Sequence, residues 1–360
     1  MPRPDMTDIN SEETVPPTTF SDLSHSEQLR VLDQLTRAAL PTHYGIDGTA
    51  AILELQRYED NAVWRVTPDS DQSFVARLSS HDGRTADQQR SEMAWLESLA
   101  AAGKVTVPGP LTTLDGDCVV PITVPGQDQA ATLALLHWVP GTAEPPYQQP
   151  GVAEQMGAAT AHLHHNAATT ELAVFDRPTW DYEMMLKGAA LTDPDAGEHL
   201  SEAGRMTLRQ VADRIVPAIA ECDPAVHSRI HGDLHRENMI ALPTGGVGII
   251  DFDDCGWGSP ILDIATVLSS IHRIAHTEPG AYARFAQAFL NGYTNVVGLP
   301  QGFDVLLEPY LLLRDVFVLN FVSTAMSNTA VAEWGPGRIA RIIINMEAYL
   351  GGRQYPGALA

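Results

Sequence analysis

Long apolar runs, paired cysteines and positively charged residues are all scarce in this chain of 360 residues. No stretch reaches the roughly 18 consecutive apolar residues that a transmembrane helix needs. Residues 1–20 contain no apolar segment typical of a secretory signal, so we expect a cytoplasmic protein. The three cysteines are far apart and form no C-x-x-C pair, which argues against a disulfide framework or a zinc knuckle.

The shortage of positive charge is the strongest bias in the composition. The chain has 22 Lys and Arg residues against 45 Asp and Glu residues, a formal net charge of −23, and its lysines are Lys104 and Lys187. Because so acidic a protein repels phosphate groups, we expect it to bind neither nucleic acid nor anionic membranes. Two explanations of the acidity stay open, namely solubility in the host cell and a cationic substrate. The sequence indicates no oligomeric state.

The hydropathy pattern changes along the chain and indicates an α+β protein with two lobes. Hydrophobic residues make up 44% of the chain, enough to bury more than one ordinary core. We predict a disordered tail over residues 1–20, a small, mostly antiparallel β lobe with one long helix over 21–140, and a larger, mainly helical lobe over 141–360. Strand-like patterns cover 51–56, 62–67, 73–79, 111–114, 118–124 and 131–139. Helical patterns cover 26–40, 85–102, 148–166, 198–221, 260–276, 280–297, 303–326 and 338–350.

A short strand-like insert in the helical part, residues 229–252, holds the residues best suited to chemistry. It reads His231-Gly-Asp233-Leu-His-Arg-Glu-Asn238, followed by a second apolar strand that ends at Asp251. Two strands joined by a tight turn bring Asn238 and Asp251 together at one end of a hairpin. Their hard oxygen atoms suit Mg²⁺, which usually takes few protein ligands. Asp233 is then left to orient a hydroxyl nucleophile and accept its proton.

This spacing is that of the kinase catalytic loop, H-x-D-x-x-x-x-N followed by a metal-binding Asp. Over about residues 50–330 the chain resembles the aminoglycoside phosphotransferase and choline kinase superfamily. In that superfamily the loop has the sequence H-G-D-x-x-x-x-N and the metal site has the sequence I-D-F or I-D-W. Asp263 and the pair Leu163-His164 match two further positions of that family. The resemblance implies a kinase-like fold, with a nucleotide-binding lobe over 21–140 and a catalytic and substrate lobe over 141–360.

The resemblance also implies roles for the matching residues. The protein is expected to be a kinase that moves the γ-phosphate of ATP to a hydroxyl of a small molecule, with GTP not excluded. Asp233 and His231 belong to the catalytic loop, and Asn238 and Asp251 are the expected Mg²⁺ ligands. Asp253 or Asp254 is expected to assist the metal or the substrate. Asp263 is expected to support the loop from the start of a helix.

The nucleotide site cannot be a P-loop, because the chain contains no G-x-x-x-x-G-K-[ST] motif. It also lacks the G-x-G-x-x-G loop of eukaryotic-type protein kinases. Arg77 lies on the third predicted strand between apolar neighbours, and an arginine in such a place needs an anionic partner. Glu92 is the candidate partner, since it shares a helix face with the apolar residues that follow it. Arg77 stands where the resembling family usually has Lys. Further predicted nucleotide contacts are Asn61 at the first hairpin, Val75, and Leu136 and Trp138 in the segment expected to read the adenine edge.

Several alternatives stay open at this point. A bacterial stress-type Ser/Thr protein kinase shares the Asp-Phe-Asp-Asp sequence, and a type II homoserine kinase would need a carboxylate-binding Arg in the helical lobe. A nucleotide-binding pseudokinase is the alternative from another class. The triplet of His231, Asp233 and His235 could be a transition-metal site, and His162, His164 and His165 could be a metal cluster or a packed helix face.

The acceptor is predicted from charge and from the resemblance, which implies that acidic side chains of the helical lobe bind amino groups of the substrate. Carboxylates are frequent between residues 191 and 223, and Asp181 and Glu183 precede them. A focused negative field concentrates cations, so we predict an acceptor that carries an amine, such as an amino sugar, aminoglycoside or amino alcohol. A solvated helix face is the other explanation. The acids of that segment are Asp193, Asp195, Glu198, Glu202, Asp213, Glu221 and Asp223.

Overall fold

The computed structural model divides the chain into two compact units. The first comprises Met1–Ala86 and Leu111–Leu136, and the second Asp87–Pro110 and His137–Ala360. The residues that the structure describes are 19–58, 61–69, 72–79, 84–127, 129–188, 190, 200–221, 227–326 and 329–359. The predicted tail lies, apart from residues 19 and 20, outside these described residues, and so do Asp193, Asp195, Glu198 and Asp223.

The first unit is a five-stranded sheet with a helix packed on it. Its elements are α1 (His25–Ala39), a π-helical turn (Leu40–Tyr44), β1 (Ile52–Tyr58), β2 (Asn61–Thr67), β3 (Phe74–Ser79), β4 (Val120–Ile122) and β5 (Ala131–His137). The strand order is β1-β2-β3-β5-β4, and the β1–β2, β2–β3 and β4–β5 pairs are antiparallel. Alternation along β2 and β3 buries Trp64, Ala76 and Leu78, which share one core with Leu32 of α1.

The second unit is mainly helical. Its helices are α2 (Ala86–Ala102), α3 (Pro150–Thr169), α4 (Tyr182–Leu186), α5 (Glu202–Ala220), α6 (Pro260–Ala275), α7 (Ala281–Thr294), α8 (Phe303–Thr324) and α9 (Thr329–Leu350). Its strands are β6 (Thr142–Ala143), β7 (Thr179–Trp180), β8 (Ser228–Ile230), β9 (Met239–Ala241), β10 (Val247–Ile249) and β11 (Gly256–Gly258). They form two small sheets, in the orders β10-β9-β6 and β7-β11-β8. Among the described helices, none has the length and hydropathy needed to cross a bilayer.

Three differences from the sequence patterns have physical causes. Helix α2 belongs almost entirely to the second unit, because the indole N–H of Trp95 donates to Asn166 of α3 (3.1 Å) and its ring packs edge-on against Phe175 and Phe252. The strand expected at 111–114 is wrong, because the Asp-Gly-Asp sequence that follows closes a turn in which the N–H of Thr113 donates to the carbonyl of Asp117 (2.7 Å). Helix α9 begins well before residue 338, with a proline inside it.

Candidate active site

A β-hairpin in the second unit presents the two predicted metal ligands. Strands β9 and β10 pair antiparallel with Met239 opposite Ile249, and the N–H of Ile250 donates to the carbonyl of Asn238 (3.0 Å). Asn238 and Asp251 therefore lie on neighbouring rungs at the open end of this hairpin. The carboxamide Nδ2 of Asn238 donates to the carbonyl of Asp233 (3.0 Å), which leaves its Oδ1 as the atom available to a metal ion.

Asp251 has a backbone conformation that few residues other than glycine adopt. Its φ is 64° and its ψ is 66°, in the left-handed region. Such conformations cost about 1–3 kcal/mol for residues other than glycine and concentrate at functional sites, although Asp tolerates them better than most. The reversal leaves Asp251 exposed and buries the next residue, Phe252.

Asp263 holds the catalytic loop by its backbone. This residue is fully buried in the first turn of α6, where its Oδ1 accepts from the N–H of Gly232 (2.9 Å) and its Oδ2 from the N–H of His231 (2.8 Å). Oδ2 also lies 3.1 Å from Nε2 of His164, whose Nδ1 is 2.8 Å from the hydroxyl of Tyr293. Both ring nitrogens of His164 are thus engaged within the protein, so this histidine packs on its helix and does not belong to a metal cluster.

The side chain of His231 ties the catalytic loop to the strand that leads to Asp251. It is completely buried, and its Nε2 donates to the carbonyl of Ile250 (2.9 Å). Its Nδ1 then accepts from the N–H of Asp233 (3.3 Å), and its ring packs against Phe252 at 4.7 Å between centroids. With both nitrogens bonded inside the protein, His231 is not available for the transition-metal site considered above.

Gly232 is required at its position by both conformation and space. Its φ is +82°, and a Cβ atom there would lie 2.3 Å from the carbonyl oxygen of Asp254 and 2.9 Å from the indole nitrogen of Trp180. That indole nitrogen donates to the same carbonyl of Asp254 (2.7 Å), so neither neighbour can withdraw without breaking a hydrogen bond.

Replacing Gly232 with Ala is expected to lower the free energy of unfolding by about 2–4 kcal/mol, since strain and a backbone clash add together. Gly245→Ala is the matched control, because φ is +85° there and no atom of the described residues lies within 4 Å of the added Cβ. In this control the free energy of unfolding should fall only by the conformational cost of about 1–2 kcal/mol. Urea unfolding of both variants measures the difference, and equal losses would contradict the account of crowding at Gly232.

The carboxylate of Asp233 is partly buried between two cationic side chains. Its Oδ1 accepts from Nη2 of Arg314, which lies in the middle of α8, and its Oδ2 is 3.3 Å from Nε2 of His235. The other ring nitrogen of His235 lies 2.9 Å from Oε2 of Glu237. The sequence analysis missed Arg314, although a charged residue inside the apolar pattern of 303–326 was a signal that could have identified it.

These contacts determine the charges of the site. Burial opposes ionisation of Asp233, but the guanidinium of Arg314 and the imidazole of His235 outweigh it and hold the pKa of this carboxyl well below its usual range. Burial also opposes ionisation of His235, yet its contacts with Asp233 and Glu237 raise its pKa to about 9. The pKa of Glu237 is lowered to about 2 by His235, against the effect of burial. At neutral pH the site therefore holds two carboxylates with an imidazolium between them.

A second arginine that the sequence analysis missed supports the loop after Asp251. Arg177 is buried, and its guanidinium donates to the carbonyls of Asp253, Cys255 (2.8 Å) and Gln88 (3.3 Å). Its Nη1 is 4.0 Å from Oε2 of the buried Glu92. Arg177 therefore joins α2 to this loop. The main-chain carbonyls of Asp253 and Asp254 accept from Arg177 and Trp180, respectively.

The predicted nucleotide contacts are placed separately in the two units. In the first unit, Arg77 is buried on β3 opposite Val63 of β2, and the half-buried Val75 lies opposite Arg65. Glu92 lies on α2 in the second unit, and its pairing with Arg77 stays a prediction. The chain passes from the first unit to the second between residues 136 and 137, within the predicted adenine-reading segment. The remaining candidates are Asn61 at the start of β2, the buried Leu136 at the end of β5, and the half-buried Trp138.

A small β unit, a mainly helical unit, an H-G-D-x-x-x-x-N loop and an Asp at the end of the next hairpin define a kinase-type phosphotransferase. The model of the phosphotransferase enzyme family (APH) matches residues 52–303, more than half of the chain. This protein therefore belongs to the phosphotransferase enzyme family.

Individual relatives agree with this assignment. The amicoumacin kinase of Bacillus subtilis (strain 168) is 22% identical over 284 residues, which cover 76% of this chain and 80% of the relative. The structure of a microcompartment-associated aminopropanol kinase is 26% identical, with a TM-score of 0.73 and coverage of 89% of this chain and 98% of that one. The amicoumacin kinase hAmiN, in complex with AMP-PNP, Ca²⁺ and Ami, has a TM-score of 0.75 at 19% identity, covering 93% and 98% of the two chains.

Family and fold together confirm the main prediction from the sequence. The chain is an ATP-dependent small-molecule phosphotransferase with the expected kinase-like α+β fold. The predicted metal ion and the amine on the acceptor are finer statements, taken up below.

Proposed function

We propose that this protein transfers the γ-phosphate of Mg²⁺-bound ATP to a hydroxyl group of a small molecule that carries an amine. The observation that carries the proposal is the position of the carboxylate of Asp233. It belongs to a loop whose far end supplies Asn238, on the rung next to Asp251. A base for the acceptor and two oxygen ligands for a metal ion are thus held by one short segment.

The proposed metal ligands suit Mg²⁺ in their chemistry. Asn238 offers an amide oxygen and Asp251 a carboxylate, both of which are hard donors, and phosphate oxygens and water complete the octahedral shell that Mg²⁺ prefers. When bound, the ion would neutralise negative charge on the β- and γ-phosphates. Asp253 and Asp254 lie in the turn that follows and are proposed to assist the metal or the substrate. Arg77, fixed by Glu92, is proposed to clamp the nucleotide phosphates.

The low pKa of Asp233 is compatible with the proposed reaction. The acceptor oxygen forms its bond to the γ-phosphorus as the bond to the bridging oxygen of ADP breaks, and the hydroxyl proton passes to Asp233 and then to solvent. In a loose transition state the hydroxyl becomes acidic only as its new bond to phosphorus forms, so orientation matters more than base strength. His231 and Asp263 are proposed as positioning residues, since they bond the loop and do not face the reactants.

The amine on the acceptor is proposed from the charge of the chain and from its similarity to the aminopropanol kinase. Several acids of the predicted cluster are partly neutralised: Glu183 lies 3.6 Å from Lys187, and Glu202 lies 3.2 Å from Arg209. Asp181 is the best-placed remaining candidate, because it directly follows Trp180, whose indole lies against the catalytic loop at Gly232. Its Oδ1 caps α4 at the N–H of Met184 (2.8 Å), which leaves Oδ2 for an ammonium group.

A homoserine-type activity would need an arginine that binds the carboxylate of the acceptor. Arg314 of the helical unit already donates to Asp233, and it is only 9% exposed. An acceptor carboxylate cannot approach it without displacing the proposed base. Arg314 is therefore unsuited to bind the carboxylate of a homoserine-type acceptor.

Phosphorylation of 1-aminopropan-2-ol is expected to have a KM at least tenfold below that of propane-1,2-diol, because the ammonium group is attracted to the acidic lobe. The KM for the amine should rise with salt, since exposed charges are screened beyond about 8 Å at physiological ionic strength, while the KM for the diol should stay constant. ATP consumption measures both, in a panel that also includes ethanolamine, choline, streptomycin, homoserine and a serine peptide. Preferred turnover of homoserine or of the peptide, without a salt effect, would contradict the amine and favour one of the alternative kinases.

A further inference from the structure

Arg314 contacts the proposed base directly, although it is neither a proposed metal ligand nor a proposed nucleotide contact. It lies in the middle of α8 (Phe303–Thr324), with 9% of its surface exposed. Its Nη2 donates to Oδ1 of Asp233, and its Nη1 is buried with no hydrogen-bond partner among the described residues. An arginine buried with one nitrogen unpaired is costly, so its retention beside Asp233 needs an explanation.

The guanidinium of Arg314 is held in place by an aromatic platform. It stacks over the ring of Phe317, 4.7 Å from the centroid, and Phe317 packs edge-on against Trp180 at 5.2 Å. Trp180 in turn donates to the carbonyl of Asp254 and fills the space beside Gly232. The platform therefore connects α8 to both segments of the active site, the H-G-D loop and the turn after Asp251.

We propose that Arg314 is a positioning residue of the phosphoryl transfer, which holds Oδ1 of Asp233 and so leaves Oδ2 as the one carboxylate oxygen presented to the acceptor hydroxyl. The inference rests on the proposed function, in which Asp233 contacts that hydroxyl. A free carboxylate can rotate about its Cβ–Cγ bond, so either oxygen can face the acceptor at varying angles. A charge-assisted hydrogen bond to one oxygen removes this freedom before the substrate arrives.

The burial of Arg314 separates this role from direct binding of substrate. Because Nη1 is not accessible to solvent, a bound phosphate or acceptor cannot reach it without rearrangement of α8. His235, 3.3 Å from Oδ2, is the more weakly held neighbour and is the one that an acceptor hydroxyl would displace. Arg314 thus stays bound to Asp233 throughout the reaction, whereas His235 is displaced when the acceptor binds.

A double-mutant cycle tests whether Arg314 acts through Asp233. We expect Arg314→Met to lower kcat by about 10–100-fold while the Kd of Mg²⁺–AMP-PNP changes less than about threefold. In an Asp233→Asn background the same substitution should change kcat less than about threefold, because the oriented carboxylate is already gone. Arg314→Lys, which keeps the charge but offers a single donor point, should recover part of the loss. The assays follow phosphate transfer from radiolabelled ATP to 1-aminopropan-2-ol and to water.

Arg338→Met is the matched control. Arg338 is similarly buried, with 16% of its side chain exposed, and it donates to Asp315, the neighbour of Arg314 on α8 (2.7 Å). We expect a similar fall in thermal midpoint for both arginine variants, and a kcat for Arg338→Met within about threefold of the original chain. A kcat loss for Arg338→Met as large as that for Arg314→Met would assign the effect to general damage of α8 and overturn the inference.

The remaining outcomes separate the inference from the proposed function. If Asp233→Asn keeps its turnover, the proposed function fails, whatever Arg314 does. If Asp233→Asn loses turnover while Arg314→Met keeps it, only the role of Arg314 is overturned. The same holds if the fold-loss in kcat of the double variant equals the product of the two single fold-losses. Thermal midpoints add a readout that needs no acceptor, since losses that simply add in the double variant would show that the two side chains are not coupled.

Discussion

Replacing Asp233 with Asn is expected to lower phosphoryl transfer by about 10²–10⁴-fold, the usual contribution of a positioned general base. Asn has the same shape, and its amide oxygen can still accept from Nη2 of Arg314. It cannot take up the hydroxyl proton, so the acceptor would attack the γ-phosphorus without a group to receive that proton. Folding and nucleotide binding should survive, because the loop is held through the main chain by Asp263 and His231.

The measurement is kcat with ATP and the preferred acceptor, together with the Kd of Mg²⁺–AMP-PNP by calorimetry. Glu347→Gln is a control for the loss of one negative charge, because Glu347 is exposed on α9, and it should leave both quantities unchanged. Turnover of Asp233→Asn within a few-fold of the original chain would remove Asp233 from the mechanism.

Loss of the Asp251 carboxylate is expected to abolish the dependence of nucleotide binding on Mg²⁺. In the Asp251→Asn variant, the affinity for AMP-PNP in Mg²⁺ should fall at least tenfold, or about 1.4 kcal/mol, because the charge that holds the ion near the β- and γ-phosphates is gone. Asn is chosen because it tolerates the left-handed backbone found at this position. Calorimetry with and without Mg²⁺ gives the comparison.

Asp251→Ala separates the effect of the left-handed backbone conformation from the effect of losing the carboxylate. Ala should lose the same Mg²⁺-dependent affinity and should also destabilise the protein by about 1 kcal/mol, since a φ of 64° is less favourable for it. Unchanged Mg²⁺-dependent binding in both variants would show that the metal is held elsewhere. Asp253→Asn and Asp254→Asn in the same assay would then identify the residue that holds it.

Much of the fold was accessible from the sequence because its signals are local. Alternation at period 2 predicted β1, β2 and β3 to within a few residues, and helical spacing predicted α1, α2, α3, α6 and α8. The hairpin that places Asn238 on the rung next to Asp251 was expected from two short strands and a Gly-Gly turn. The exceptions were also local: turn-forming residues at 115–117 outweighed the strand propensity of 111–114, and a proline did not interrupt α9.

The candidate site also has features that the sequence predicts and features that it does not. Asp233, Asn238 and Asp251 could be proposed from the sequence because their spacing along the chain matches the kinase pattern, and their roles stay predictions. The unit to which α2 belongs could not be predicted from the sequence, because the apolar ridge of a helix does not specify what covers it. In the structure, Trp95 reaches Asn166, some 70 positions further along the chain.

The partners of the active-site residues were decided by the tertiary structure alone. Arg314 contacts Asp233 across 81 positions of the sequence, and Arg177 reaches the carbonyl of Cys255 across 78. A buried arginine requires a hydrogen-bond acceptor, but nothing in the neighbouring sequence identifies which carboxylate or carbonyl group accepts from it. The sequence by itself thus determined the family and the candidate residues of the site, whereas the packing of distant helices decided what holds those residues in position and which charges surround them.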